Sequence, residues 1–377
     1  MGRFRGVELD DVELSGERLL LRAWRPADAD PVCEAMQDPD MHRFLALPRP
    51  YTREDALRFV SRTAVDPRRD GSALECAVVE RRSGRLVGSG ALRLTGDPEI
   101  GYWIAPDARG RGYAAEVTGV LSRWGFGLGL RRVRLACDVR NLASARTALS
   151  AGFRFEGISR DGVIGGGTGG VPEMRADLAR FARLVSDPDG PVRHNFASLP
   201  PDGLDDGVLG LRTMSPEDAE AFAETDDALT LRWGFTGEPH SRDDARRSAE
   251  QAGLLWLVGA VAVFSMVDLA TGRFAGSIRL RRAGPPQVGG IGYVVHPAFR
   301  GRGYTTRALR LLVPWAFGPA DFARLELGAK VGNEASLRAA ANAGFEPDGV
   351  RRGRLRNPDG TFSDEVRYAL LNPRHAL

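Results

Sequence analysis

Ile104-Ala-Pro-Asp-Ala-Arg-Gly-Arg-Gly-Tyr-Ala114 occurs in this chain in two versions, the second being Val295-His-Pro-Ala-Phe-Arg-Gly-Arg-Gly-Tyr-Thr305. In each, an apolar stretch with the character of a strand (Glu99-Ile-Gly-Tyr-Trp-Ile104; Gly290-Ile-Gly-Tyr-Val-Val295) runs through a proline into Arg-Gly-Arg-Gly, and a helical pattern follows. Glycine lets the backbone come close to a ligand. A helix start presents unpaired N–H groups and the positive end of the macrodipole. Together they predict an anion site suited to phosphate. It is built from Gly110, Gly112, Tyr113 and Ala114 in the first version and from Gly301, Gly303, Tyr304 and Thr305 in the second. Arg109, Arg111, Arg300 and Arg302 add positive charge, while Thr305, where the first version has Ala114, crowds the second site.

Other phosphate motifs fit less well. The chain contains no Gly-x4-Gly-Lys-Ser/Thr. Gly165-Gly-Gly-Thr-Gly-Gly170 matches a dinucleotide-binding pattern in letters, but Pro172 follows and no helix opens there. It is expected to be a mobile loop.

The duplication extends outward from the Arg-Gly-Arg-Gly stretch. Leu21-Arg22 with Pro26-Ala-Asp-Ala29 returns as Leu211-Arg212 with Pro216-Glu-Asp-Ala219, 190 positions later. Asn141 returns as Asn333, and Gly152-Phe153 as Gly344-Phe345, 192 positions later. So slow a drift predicts two copies of one domain in tandem: 1–185, a Pro/Asp/Gly-rich linker at 186–207, and 208–377. In the first copy, strands are expected at 18–24, 74–80, 86–94, 99–104, 133–139, 153–158 and 174–181. Helices are expected at 26–36, from the Thr52-Arg-Glu-Asp55 cap to about 63, at 113–126, and from Asn141 to Gly152. Residues 38–50 are expected as a loop, and 254–267 as a buried strand too short to span a bilayer. The class is α/β with a mixed sheet.

These features resemble the GNAT superfamily of acyl-CoA N-acyltransferases, and each half resembles its RimJ/RimL (ribosomal-protein alanine acetyltransferase) type. The resemblance rests on Arg109-Gly-Arg-Gly-Tyr-Ala114, Asn141-Leu-Ala-Ser144 with Gly152-Phe153, Glu99-Ile-Gly-Tyr102, and the early Leu-Arg and Pro-x-Asp-Ala features. It implies two tandem GNAT domains, each a mixed, splayed central sheet flanked by helices. It also implies acetyl-CoA, or another acyl-CoA, in an opening between the fourth and fifth strands. Backbone groups at Trp103 and Ile104, with Val294 and Val295 in the second copy, would hold the pantetheine arm, and the glycine loops the pyrophosphate. Asn141 and Asn333 would cap a helix within reach of the cofactor. Glu99 would serve as base toward a primary amine of a small molecule or a protein N-terminus, and Ser144 as proton donor to the thiolate. The second copy has Gly290 in place of Glu99, so the first half is expected to be the main site. By analogy with a homodimer of single domains, the halves are expected to pair about a pseudo-dyad.

Composition supports an ordinary soluble protein: 377 residues, 43% hydrophobic, 27% charged, net charge +3. So slight a charge does not suggest nucleic acid as partner. Lys330 is the only lysine, a bias expected of a GC-rich genome. Three scattered cysteines and no signal-peptide pattern suggest a cytoplasmic protein with no membrane partner. Five scattered histidines suggest no metal site. His42 and His240 are expected in loops over the acceptor site, and Trp124, Trp315 and Tyr368 in the core.

Overall fold

Residues 73–80 read Ala-Leu-Glu-Cys-Ala-Val-Val-Glu, and six of the eight are buried, with side chains on both faces. Such a strand belongs inside a layered sheet, covered by helices on each side. The computed structural model, which describes residues 9–165, 173–193, 196–235, 238 and 241–375, has that architecture. The chain divides into two units, Met1–Arg193 and His194–Leu377.

The sheet of the first unit has eight strands: β1 (Leu14–Ser15), β2 (Leu19–Arg22), β3 (Ala73–Glu80), β4 (Leu86–Arg93), β5 (Glu99–Ile104), β6 (Arg132–Asp138), β7 (Arg154–Gly165) and β8 (Met174–Leu184). Their order is β1-β2-β3-β4-β5-β6-β8-β7, and only β5 and β6 are parallel. The helices are α1 (Ala29–Ala35), α2 (Pro39–Phe44), α3 (Arg53–Arg58), α4 (Asp66–Arg69), α5 (Tyr113–Gly127) and α6 (Leu142–Ser150). Trp24, Val32, Met41 and Val60 pack over Ala77 and Trp103 on one face. On the other, Gly90 admits α5 so closely that a Cβ there would lie 2.5 Å from Val117.

The second unit repeats the plan with β9 (Leu204–Asp205), β10 (Leu209–Thr213), β11 (Val261–Asp268), β12 (Arg273–Arg282), β13 (Val288–Val295), β14 (Arg324–Lys330), β15 (Glu346–Arg356) and β16 (Phe362–Leu371). Its helices are α7 (Ala219–Ala223), α8 (Ala228–Trp233), α9 (Arg242–Leu257), α10 (Tyr304–Phe317) and α11 (Glu334–Asn342). The parallel pair is β13–β14. Phe196, Phe264, Trp315 and Phe322 form an aromatic core, with Trp256 and Tyr368 packed against it.

The repeated Leu-Arg and Pro-x-Asp-Ala features have a structural cause. Arg22 forks onto Asp28 with two bonds of 2.8 Å, and Arg212 onto Asp218 with bonds of 2.7 and 2.6 Å. Each pair ties an inner strand to the turn that opens the first helix.

Several expectations are corrected. Residues 38–50 contain α2, because the Asp38 side chain accepts from the N–H groups of Asp40 and Met41 and Pro39 starts the helix. The helix expected to about 63 is α for six residues and then widens into a π turn over Phe59–Thr63. Residues 254–267 are the end of α9, a turn at Gly259 in a left-handed conformation (φ 71), and then β11. A continuous apolar run carries no periodicity that separates helix from strand. Trp124 is only half-buried, whereas Trp315 is in the core. Within 186–207, Val192 N–H donates to the Leu149 carbonyl at 2.8 Å, and Phe196, 1% exposed, belongs to the core of the second unit. β7 reaches Gly165, and the rest of the glycine-rich stretch lies outside the described residues, as does His240. No helix among the described residues is long and apolar enough to cross a membrane.

Candidate active site

The site begins where two parallel strands part. β5 pairs with β6 only at Glu99–Arg134 and Ile100–Leu135, so the edge from Gly101 to Ile104 leaves the ladder. β13 and β14 separate in the same way after Ile291–Leu327, freeing Gly292 to Val295. Trp103, Ile104, Val294 and Val295 therefore stand on open strand edges, which can pair with the amides of an extended ligand.

Each strand then enters its glycine loop. Gly110 and Gly112 have φ of 74 and 76°, and Gly301 and Gly303 have 77 and 74°. Gly112 and Gly303 are the N-caps of α5 and α10. The first helical bonds are Glu116 N–H to Gly112 and Arg307 N–H to Gly303. The N–H groups of Tyr113, Ala114 and the residue after them, and those of Tyr304 and Thr305, have no carbonyl one turn back.

The side chains of these motifs divide into two roles. Arg109 donates to Asp38 at 2.8 Å and, more weakly, to Asp40 and the Ile104 carbonyl. Arg300 forks onto Asp227 at 2.7 and 2.8 Å and reaches the Val295 carbonyl at 3.3 Å. These arginines, expected at phosphate, instead fasten the strand end to the N-cap of α2 or α8. The Arg300 guanidinium holds the Asp227 carboxyl far below the usual carboxylate range. Arg111 and Arg302 remain exposed, Arg302 over the Phe299 ring. Tyr113 and Tyr304 point inward, their hydroxyls donating to Glu80 and Asp268, so only their backbones can serve a ligand. Arg18, which no motif marks, bonds Glu116 at 2.9 Å and the Arg111 carbonyl at 2.8 Å beside the loop.

Asn141 and Asn333 cap α6 and α11, each side-chain oxygen accepting from the serine N–H three residues on, at 3.0 and 3.2 Å. The caps set Ser144 and Ser336 against tyrosines that sequence reasoning missed. Tyr102 and Ser144 hydroxyls lie 2.9 Å apart, and Tyr293 and Ser336 hydroxyls 2.6 Å. Burial pushes Tyr102 up to about 12 and raises Tyr293. Both therefore stay protonated near neutral pH. The only sequence signal was the Ile-Gly-Tyr shared by both copies.

In the first unit the parting strands open a cavity of about 410 Å³, lined by Tyr51, Glu75, Glu99, Trp103, Asn141 and Ser144 among others. Glu99 does not stand free in it. Its oxygens face Arg93 at 3.5 Å, Arg134 at 3.6 Å and Arg180 at 3.8 Å, which suits it less to the base role expected of it than to holding those guanidiniums. Glu75, in mid-strand on β3, was missed. Burial pushes its carboxyl up to about 7, against the pull of Arg93 and Arg68. No hydrogen bond to its side chain comes from the described residues.

The same register gives the second unit different chemistry. Val263 pairs with Arg279 as Glu75 pairs with Ala91, and Gly290 stands where Glu99 does. The guanidinium nitrogens Nε of Arg279 and Arg281 lie over Gly292 and Gly290, 3.0 and 3.3 Å from where a Cβ would be. Lys330, 1% exposed, donates to the carbonyls of Arg232 and Arg356 at 3.1 and 2.7 Å. His42 is half-buried, in α2. Among the described residues no three His, Cys, Asp or Glu side chains cluster as metal ligands.

A family model described as an acetyltransferase (GNAT) domain matches residues 18–154 and again 209–346. The chain belongs to the GNAT acetyltransferase family. Its two GNAT domains are joined in tandem, and its chemistry is acyl transfer. The uncharacterized N-acetyltransferase p20 of Bacillus licheniformis is 27% identical over 150 residues, 38% of this chain and 84% of that one. The putative ribosomal N-acetyltransferase YdaF of Bacillus subtilis is 29% identical over 180 residues, 43% of this chain and 91% of its own. Mycobacterium smegmatis RimJ, solved in complex with CoA-disulfide, is 23% identical with a TM-score of 0.41, covering 46% of this chain and 87% of that one. Each of these relatives corresponds to about one half of the present GNAT protein.

Proposed function

We propose that the first unit is the main acetyl-CoA site and passes the acetyl group directly to a primary amine, of a small molecule or a protein N-terminus. The observation that carries this is the cavity at the parting of β5 and β6. It gathers a strand edge, a protonated hydroxyl pair and a carboxylate. The residues fit the co-substrate. The N–H groups at the start of α5, with Arg111, suit a diphosphate, and the free edge of β5 suits the pantetheine amides. Aligned backbone N–H groups there would stabilise charge developing on the thioester oxygen. The Tyr102–Ser144 pair would supply a proton to the departing thiolate. A free thiol has a pKa of about 8.5, so this help is moderate. Most of the acceleration comes from holding the amine at the carbonyl.

The second unit keeps the glycine loop and the Tyr293–Ser336 pair but has neither carboxylate, which favours a further reading of it as an additional acyl-CoA binder. Calorimetric titration with acetyl-CoA separates the two. Gly112→Trp is expected to abolish the binding that supports turnover, and Gly303→Trp to leave turnover intact. A second equivalent lost only in Gly303→Trp supports the additional site. Turnover lost only in Gly303→Trp overturns the assignment to the first unit.

A further inference from the structure

We infer that Glu75 is the group that receives the acceptor's ammonium and takes its proton. The inference rests on the proposal that the first unit carries out the transfer. Three features of the structure support it. The first is position: Glu75 pairs with Ala91, which pairs with Gly101, so a single small residue separates it from the part of β5 that has left β6. A Cβ at Gly101 would meet nothing nearer than the Arg93 guanidinium, at 3.9 Å, so the cavity is open directly over Gly101. The second is availability: Glu75 lines the cavity with no hydrogen-bond donor on its side chain among the described residues, whereas three guanidiniums surround Glu99. The third is the contrast between halves: Val263 and Gly290 leave the second unit without either acid.

The charged groups acting on Glu75 are Arg93 on β4 and Arg68 on α4, with the neighbouring Cys76 thiol interacting with it; Tyr51, Glu99, Tyr102, Cys137, Asp138 and Arg180 also line the cavity. Burial outweighs the two nearest arginines, leaving a carboxyl that titrates near neutrality. That range suits a base working at physiological pH. One proton passes from the ammonium to the Glu75 carboxylate. The freed nitrogen lone pair forms the C–N bond, and the C–S bond breaks with its electron pair on sulfur. The sulfur takes a proton from the Tyr102–Ser144 pair. The second nitrogen proton replaces it through solvent, and Glu75 returns its own proton to water.

The experiment is kcat/KM against pH, with acetyl-CoA and a panel of primary alkylamines and short peptides with free N-termini, reading thiol release. The wild type is expected to show a limb rising through about pH 7, below the limb of the amine itself. E75Q is expected to lose that limb and roughly 100-fold in kcat/KM, with acetyl-CoA affinity unchanged. E75D is expected to keep the limb at reduced height, and E99Q to keep it. If the wild type turns over and E75Q retains the limb, the role of Glu75 is overturned while the first unit stands. If E75Q and E75D both lose acetyl-CoA binding, Glu75 is structural and the inference fails. If the wild type turns over no amine on the panel, both the inference and the proposed function fall.

Discussion

Arg109 and Arg111 stand two positions apart in one motif and do different things. Arg109 is held by Asp38 and reaches the carbonyl that ends β5, while Arg111 is exposed beside the helix start. Arg109→Ala is expected to lower stability by roughly 1 kcal/mol, because it removes the partly exposed ion pair that ties the end of β5 to Asp38 at the N-cap of α2. Arg111→Ala is expected to leave the melting temperature alone and weaken acetyl-CoA binding roughly tenfold, about 1.4 kcal/mol. Thermal melts and calorimetry on both variants check this, and equal effects on affinity would refute the division. The distinction was not visible in the sequence, since Asp38 lies 71 residues from Arg109. The Tyr102–Ser144 pair, 42 residues apart, was half visible: both residues stood in repeated motifs, but nothing local shows that their hydroxyls meet. Glu75 was invisible for a different reason. Its place in the cavity comes from strand register, which sets it in line with Ala91 and Gly101.

At the scale of elements, the features legible in the sequence were those with local causes. The left-handed loop glycines, the Asn141 and Asn333 caps and the Thr52–Asp55 capping box announce themselves within a few residues. The features that were missed depend on packing or lack a period, such as α2 behind its Asp-Pro start and the helix-to-strand change within 254–267. Close packing of α5 on the sheet is another such feature. Gly90 faces Val117 and Leu121, and a Cβ would lie 2.5 and 3.2 Å from their methyl groups. Gly90→Val is therefore expected to destabilise the first unit by about 1–3 kcal/mol or more through overpacking. Denaturant unfolding followed by Trp fluorescence measures it. A variant as stable as wild type would mean that α5 can shift away without loss.

At the scale of the whole molecule, one plan has been kept twice while its charges have diverged. Glu75, Ala91 and Glu99 correspond to Val263, Arg279 and Gly290. The Arg18–Glu116 bridge beside the first glycine loop is answered by Asp206–Arg307 beside the second, with the signs reversed. Asp138, at the end of β6, has as its counterpart Lys330, at the end of β14. The tandem plan was legible because hydrophobic pattern and turn residues repeat. The divergence was legible only at Gly290, since the other exchanges acquire meaning through register. Lys330 has a consequence for a catalyst whose product is an acylated amine. As the only lysine, fastened between two carbonyls and closed to solvent, it leaves the folded protein's surface without a single ε-amino group. The protein is thus blind to its own side chains. Incubated with excess acetyl-CoA, native protein is expected to gain no acetyl mark on a lysine-containing peptide, and unfolded protein treated with acetic anhydride to gain one. Peptide mass spectrometry decides it, and rapid marking of Lys330 in the native state would mean that its enclosure opens. Any lysine acetylation detected in a mixture with another protein would then belong to the partner's side chains.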